Sequence, residues 1–332
     1  MTAFASPTPG FLSLFADHLQ SVLGDTARET KGPEVLIQAC QHLGWAQGAK
    51  RMRPLLVDYF GAALGLDDQV RLYIATTAEL VHTASLLHDD VVDEGTQRRG
   101  QPTVNARWNN SVAVLGGDLM LCIALEQLYG LRRAITRTAV DLVAEMTRAA
   151  MWEVEARTRG GWGMREWERV ADGKTGALLA WCGEAPALAA GKDELVKPFG
   201  TCGRSLGYAF QLTDDLIDLM SPREESGKNR WADLRTGNPS FPVALARTKS
   251  VTLRGELDRM WERGVDSDEE LGEMALKIRA LGVPEETLER IEGHLDEGLE
   301  ALGPFASRPG GAHIAGWAEQ LRGMARQVLE RE

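Results

Sequence analysis

Cysteine is scarce in this chain. Its 332 residues hold four, Cys40, Cys122, Cys182 and Cys202, widely spaced and never in a C-x-x-C pair. That spacing offers neither a zinc ligand set nor a dithiol couple, so reduced core thiols in a cytoplasmic protein are expected. The N-terminus, Met1-Thr2-Ala3-Phe4, lacks the basic region and apolar core of a signal peptide. No uncharged apolar run is long enough to cross a bilayer; the best, around 176–191, is interrupted by Glu184. Alternating β-branched runs are nearly absent, which leaves little to build a sheet from. Basic residues are outnumbered, 37 Lys and Arg against 48 Asp and Glu, for a net charge of −11. That balance argues against broad nucleic-acid binding.

What the chain does have is Ala, Leu, Glu and Arg in helical patterns, with 44% hydrophobic residues to fill a core. The patterns predict helices near 11–24, 34–44, 51–64, 69–93, 108–130, 134–159, 165–190, 193–220, 242–263, 268–281, 285–302 and 314–331. Breakers separate them, among them Gly32-Pro33, Gly65–Asp68, Gly160–Gly163 and Pro304–Gly311. Ser267 or Asp268 suits a helix cap, and Pro284-Glu285-Glu286 suits a first turn. The expectation is an all-α bundle spanning 1–332 as a single domain, without a transmembrane segment. Two longer connections, Gly95–Thr103 and Ser221–Phe241, read as irregular binding loops sharing one mouth of the bundle.

Each of those connections follows an acidic quintet: Asp89-Asp90-Val91-Val92-Asp93 and Asp214-Asp215-Leu216-Ile217-Asp218. Residues four apart share a helix face, which places Asp89 above Asp93 and Asp214 above Asp218. Carboxylates packed that closely repel, and burying them is costly. A divalent cation relieves both, and magnesium favours a few carboxylates completed by water and phosphate oxygens. One quintet alone reads more readily as a solvated acidic helix end. Two copies, each behind an apolar run and ahead of basic residues, favour the metal.

The run from Glu79 through His82 and His88 to Asp93, followed by Arg98-Arg99-Gly100, resembles the first aspartate-rich region of the trans-isoprenyl diphosphate synthases. Tyr208-Ala209-Phe210-Gln211-Leu212-Thr213 and the second quintet resemble the second region. Gly48-Ala49-Lys50-Arg51-Met52-Arg53-Pro54, Gly173-Lys174-Thr175 and the loop carrying Gly227-Lys228 and Asp233-Leu234 match three further motifs, in family order from about 48 to 242. The resemblance implies a helical isoprenoid-synthase bundle with a deep central cavity. It also implies magnesium-dependent, head-to-tail condensation of isopentenyl diphosphate with an allylic diphosphate.

By that resemblance Asp89, Asp93 and Asp214 bind magnesium, three ions with substrate bound, and Asp90, Asp215 and Asp218 support them. Arg98, Lys174 and Lys228 hold the allylic diphosphate. Lys50, Arg53, His82 and Arg99 hold isopentenyl diphosphate without metal. Oxygens of Thr175 and Gln211, beside Lys174, stabilise the allylic cation, and the released diphosphate takes the proton. His88 reads as a packing residue. A homodimer is expected from the family.

Ala84 and Ser85 lie one turn before Asp89, where farnesyl-length members carry an aromatic floor. Small residues there predict a product of twenty or more carbons, with Met120, Met151 or Trp152 as candidates for a deeper floor. Three departures stand out: Ala49 for glycine, Asn238 where many members have lysine, and Trp152-Glu153-Val154-Glu155-Ala156-Arg157 in place of a sequence closer to E-G-E-x-x-Q. The rival readings are a class I terpene cyclase and a subunit of a heteromeric prenyl synthase. A cyclase needs no second diphosphate pocket, and non-catalytic subunits lack some of the six aspartates present here.

Overall fold

The computed structural model describes residues 10–29, 33–44, 51–98, 100–159, 162–220 and 231–330. Among these the chain is helical almost throughout, with sixteen α-helices and one ladder of two two-residue strands. The all-α expectation holds. None of these helices is long and apolar enough to cross a membrane.

The chain divides into two compact units. The first comprises Met1–Val143, Trp181–Gly200 and Pro304–Ile314. In it the helices Met52–Leu64, Asp68–Val92 and Asn110–Glu126 pack side by side around Phe60, Ile74, Leu80, Leu87 and Met120, all fully buried. Phe60 meets Phe199 with ring centroids 5.2 Å apart, an aromatic contact that adds geometry to apolar burial. The second comprises Ala144–Ala180, Thr201–Gly303 and Ala315–Glu332. Its core is built on Leu206, Leu212, Leu216, Phe241, Leu257, Ile278, Ile291 and Leu295.

Helix ends follow local chemistry. Ser267 caps the Asp268–Arg279 helix, its hydroxyl accepting from the Glu270 amide at 3.3 Å, with acids in the first turn and Lys277 and Arg279 in the last. Pro284 sits in the first turn of Val283–Leu302 as expected. The helix predicted over 242–263 is two, Phe241–Lys249 and Val251–Arg263. Ser250 divides them because its hydroxyl accepts from the Leu253 amide and begins a new helix.

Two expectations differ more. The stretch 304–311 is not a plain breaker: Gly303–Ser307 forms a 3-10 turn, and Pro309 opens a helix running to Glu330. Gly310 is there for packing, since a Cβ on it would lie 1.9 Å from the Tyr59 carbonyl oxygen. The predicted 165–190 helix carries a π segment, Asp172–Gly176, between Met164–Ala171 and Ala177–Ala189. Single π turns within α-helices concentrate at functional sites, and this one holds Lys174 and Thr175.

Candidate active site

In the first unit the quintet closes the Asp68–Val92 helix, with Asp93 as its C-cap. Asp89 is half-buried and Asp93 exposed, while Asp90 turns inward at 4% exposure. Asp90 is held by Arg98, whose Nε lies 3.0 and 3.1 Å from its two oxygens and whose Nη2 lies 2.8 Å from Oδ1. Fork geometry of this kind fixes both partners at once.

Arg98 stands on a hairpin in which Gln97 pairs with Pro102 and Arg98 with Gln101. The Asn105 amide donates to the Asp90 and Gly95 carbonyls at 3.1 and 3.0 Å, and the Thr103 hydroxyl donates to Gly95 at 2.7 Å. The connection read as irregular is therefore a hydrogen-bonded hairpin tied to the quintet's own backbone. Arg99 lies outside the described residues.

The upstream basic motif enters the Met52–Leu64 helix through Arg51, in a left-handed conformation at φ 48°. Arg51 donates to buried Glu79 at 2.5 Å and to the Gly44 carbonyl at 2.7 Å. Glu79 is three residues before His82 on the same helix face. The ion pair thus fastens the motif beside the helix that carries His82. Arg53 and His82 are both half-buried. Arg53 and Glu79 also act on one buried thiol: burial pushes Cys182 up to about 12, Arg53 pulls it down and Glu79 pushes it up. Lys50 lies outside the described residues. His88 packs against the Asn110–Glu126 helix, 3.1 Å from the Val114 carbonyl. Ala84 is fully buried, and the half-buried Ser85 donates its hydroxyl to the His82 carbonyl at 2.8 Å.

In the second unit, the second quintet ends the Asp193–Met220 helix. Its three carboxylates differ. Asp214 is exposed. Asp218 accepts from the Ala232 and Asp233 amides at 3.1 and 3.3 Å, starting the short Ala232–Thr236 helix. Asp215 is buried at 5% exposure and accepts from Gln211 Nε2 at 2.8 Å, Trp167 Nε1 at 3.0 Å and the Phe241 amide at 2.8 Å. Burial pushes Asp215 up to about 6 against those three donors. Burial and the charges of Asp215, Asp218 and Glu153 also push Asp233 well above the usual carboxylate range.

The Lys174 ammonium pairs with Glu153 at 2.7 Å, and the Thr175 hydroxyl donates to Gln211 Oε1 at 3.1 Å. Gly207 allows the quintet helix to come this near: a Cβ there would stand 3.1 Å from the Thr175 carbonyl oxygen. Arg157 reaches to 3.5 Å from the Asn238 oxygen, bringing a guanidinium to one of the departures from the family pattern. Gly227 and Lys228 lie outside the described residues. Met120 is core, whereas Met151 and Trp152 are exposed, Trp152 beneath the Arg169 guanidinium at 5.5 Å.

Asp89 and Asp93 in the first unit, and Asp214 in the second, are each hard oxygen donors that are not buried, a donor chemistry suited to magnesium, which takes few protein ligands and keeps places for water and phosphate. Among the described residues, no group of three or more His, Cys, Asp or Glu side chains is placed to hold a metal unaided. The sequence alone gives no role to Trp167, Asn105, Arg51, Glu79 or Glu153. Glu79 and Arg51 stand within the matched motifs; Trp167 carries no signal, since its partner is 48 residues away.

The polyprenyl synthetase family model matches residues 33–278. The nonaprenyl diphosphate synthase of Mycobacterium tuberculosis is 33% identical over 250 residues, 74% of each chain. A (2E,6E)-farnesyl diphosphate synthase of Mycobacterium bovis is 32% identical over 313 residues, covering 88% of this chain and 84% of the relative. The crystal structure of a decaprenyl diphosphate synthase from Rhodobacter capsulatus superposes with a TM-score of 0.81 at 28% identity, over 97% of this chain and 98% of that one. The chain belongs to the polyprenyl synthetase family and is a prenyltransferase.

Proposed function

We propose that this protein condenses isopentenyl diphosphate with an allylic diphosphate, head to tail, to give an all-trans polyprenyl diphosphate of twenty or more carbons. The observation that supports this most is the Arg51–Glu79 pair, which fastens a basic motif beside the His82 helix. Ionising a single diphosphate needs no such second cationic region; gripping a second one does.

Asp89, Asp93 and Asp214 hold magnesium, with Asp90, Asp215 and Asp218 shaping the quintets around them. Bound magnesium supplies Lewis-acid stabilisation of the charge that develops on the leaving diphosphate. Arg98, Lys174 and Lys228 donate to the allylic diphosphate, forming an electrostatic clamp set before reaction. Arg98 does so from a side chain already oriented by Asp90, and Lys174 from one oriented by Glu153. Lys50, Arg53, His82 and Arg99 hold isopentenyl diphosphate without metal, so that it is not itself ionised. Thr175 and Gln211 oxygens face the allylic cation and keep positive charge from being met by water.

Relatives named for farnesyl and nonaprenyl products match about equally well, so identity does not choose the product length. Ala84 and Ser85 support the longer product: a fully buried alanine and a serine put no aromatic ring in the layer before Asp89. The protein works as a homodimer.

The test is incubation with magnesium, isopentenyl diphosphate and farnesyl diphosphate, then chromatography of the dephosphorylated products. Chains of twenty or more carbons are expected. Farnesyl diphosphate recovered unextended overturns the product length. A cyclic hydrocarbon from the allylic substrate alone replaces condensation with cyclisation, and activity only on adding a second protein replaces the homodimer with a heteromer.

A further inference from the structure

We infer that Asp215, held in place by Trp167, is a positioning residue that sets which end of the Gln211 amide meets Thr175. The inference rests on the condensation reading, in which the Thr175 and Gln211 oxygens face the allylic cation.

Asp215 sits in the quintet yet is occupied on both oxygens. Oδ1 takes the Gln211 amide, and Oδ2 takes the Trp167 indole and the Phe241 backbone amide. A carboxylate offers about four acceptor sites, and three are filled here by protein donors. Its sequence neighbour Asp214 is exposed, so the two adjacent aspartates have different work.

A glutamine amide has a donor end and an acceptor end of nearly the same shape, and only its partners decide the orientation. An ionised carboxylate accepts and cannot donate. Facing Asp215, Gln211 must therefore present its NH2 group and turn Oε1 the other way. Oε1 then accepts the Thr175 hydroxyl proton, and the Thr175 oxygen keeps both lone pairs. With the amide reversed, an N–H would stand where an oxygen now stands. Oxygen dipoles stabilise a developing cation, and an N–H repels it. The polarity of this one amide is therefore worth rate, through charge arranged before the reaction begins.

Trp167 fixes the far side of the carboxylate. Its indole is 4% exposed, with its ring centroid 5.0 Å from that of Phe241 in an edge-to-face contact and 6.1 Å from that of Tyr208. An indole N–H only donates, and this one is locked by packing. The chain of bonds runs Trp167 to Asp215, Gln211 to Asp215, Thr175 to Gln211, entirely within the second unit.

Three variants test this, with thermal unfolding used to correct each rate for the folded fraction. Trp167→Phe removes the N–H and keeps most of the apolar contact; kcat should fall about tenfold, as for one lost oriented hydrogen bond. The KM for either substrate and the magnesium concentration for half-activation should stay within about twofold. Asp215→Asn presents an NH2 group to Gln211 and reverses its amide, and kcat should fall about a hundredfold, the scale of losing one catalytic dipole. Adding Gln211→Glu to Asp215→Asn supplies one acceptor to the introduced amide and another to Thr175, and should recover about tenfold of that loss. Recovery in the double variant is a result that simple loss of packing does not give. No recovery, or a raised magnesium requirement in Asp215→Asn, overturns the inference and returns Asp215 to the metal. Elongation by the wild type with kcat unchanged in Trp167→Phe overturns this inference alone. A wild type that does not elongate overturns the condensation reading and this inference with it.

Discussion

Asp89 and Asp90 are neighbours in sequence and unlike in surroundings: one is half-buried, the other is buried and forked by Arg98. The second quintet divides in the same way between exposed Asp214 and buried Asp215. Asp89→Ala should therefore, on the proposed reading, lower kcat for condensation by at least about a thousandfold at saturating magnesium, read by steady-state product formation, because it removes a carboxylate that would hold the magnesium opposite the departing diphosphate. His82→Ala should act differently, raising the KM for isopentenyl diphosphate about tenfold with little change in the KM for the allylic substrate. The candidate carboxylates were legible because acid spacing in a helix is a local property. Trp167 was not, since an indole donor's partner is set by tertiary packing. A Trp among apolar residues reads as core whether or not its N–H is engaged.

At the scale of elements, helix existence was legible and connections were not. Period and propensity located the helices, and Ser267 and Pro284 marked their starts. The hairpin after the first quintet was read as irregular because strands of two residues carry no period to detect. What builds it is Asn105 and Thr103 bonding back to the Asp90 and Gly95 carbonyls. Asn105→Ala should loosen that hairpin by about 1–2 kcal/mol, the scale of losing a part-buried amide's bonds to backbone. Amide exchange at residues 97–103 should then quicken about tenfold, and the KM for the allylic diphosphate should rise while the melting temperature barely moves. The π segment was likewise hidden, since one extra residue in a turn leaves no mark on a hydrophobic pattern.

For the whole molecule, the all-α class followed from the shortage of strand formers, while the division into two units did not, because no linker marks it. Each unit threads through several separate stretches of chain, and apart from the cut at Gly303/Pro304, where a predicted breaker begins, its boundaries lie inside α-helices. The first unit also carries a buried ion pair near the start of the helix that the first quintet closes. Arg71 bonds Asp58, which is fully buried, and Asp68 at the start of the same helix. Asp58→Ala should leave a buried guanidinium short of its counter-charge and cost about 3–5 kcal/mol in denaturant unfolding. Replacing Asp58 and Arg71 together with apolar residues should cost less than that single change.

Gly310 adds a constraint of another kind. A β-carbon there would stand 1.9 Å from the Tyr59 carbonyl oxygen and 2.6 Å from the Ala63 amide nitrogen, both of them backbone atoms that cannot swing aside. The position is closed to every side chain by geometry, whatever its polarity or charge. Sequence divergence in this stretch of the chain is therefore bounded by the thickness of a backbone, and a helix seam rather than a catalytic group sets the limit.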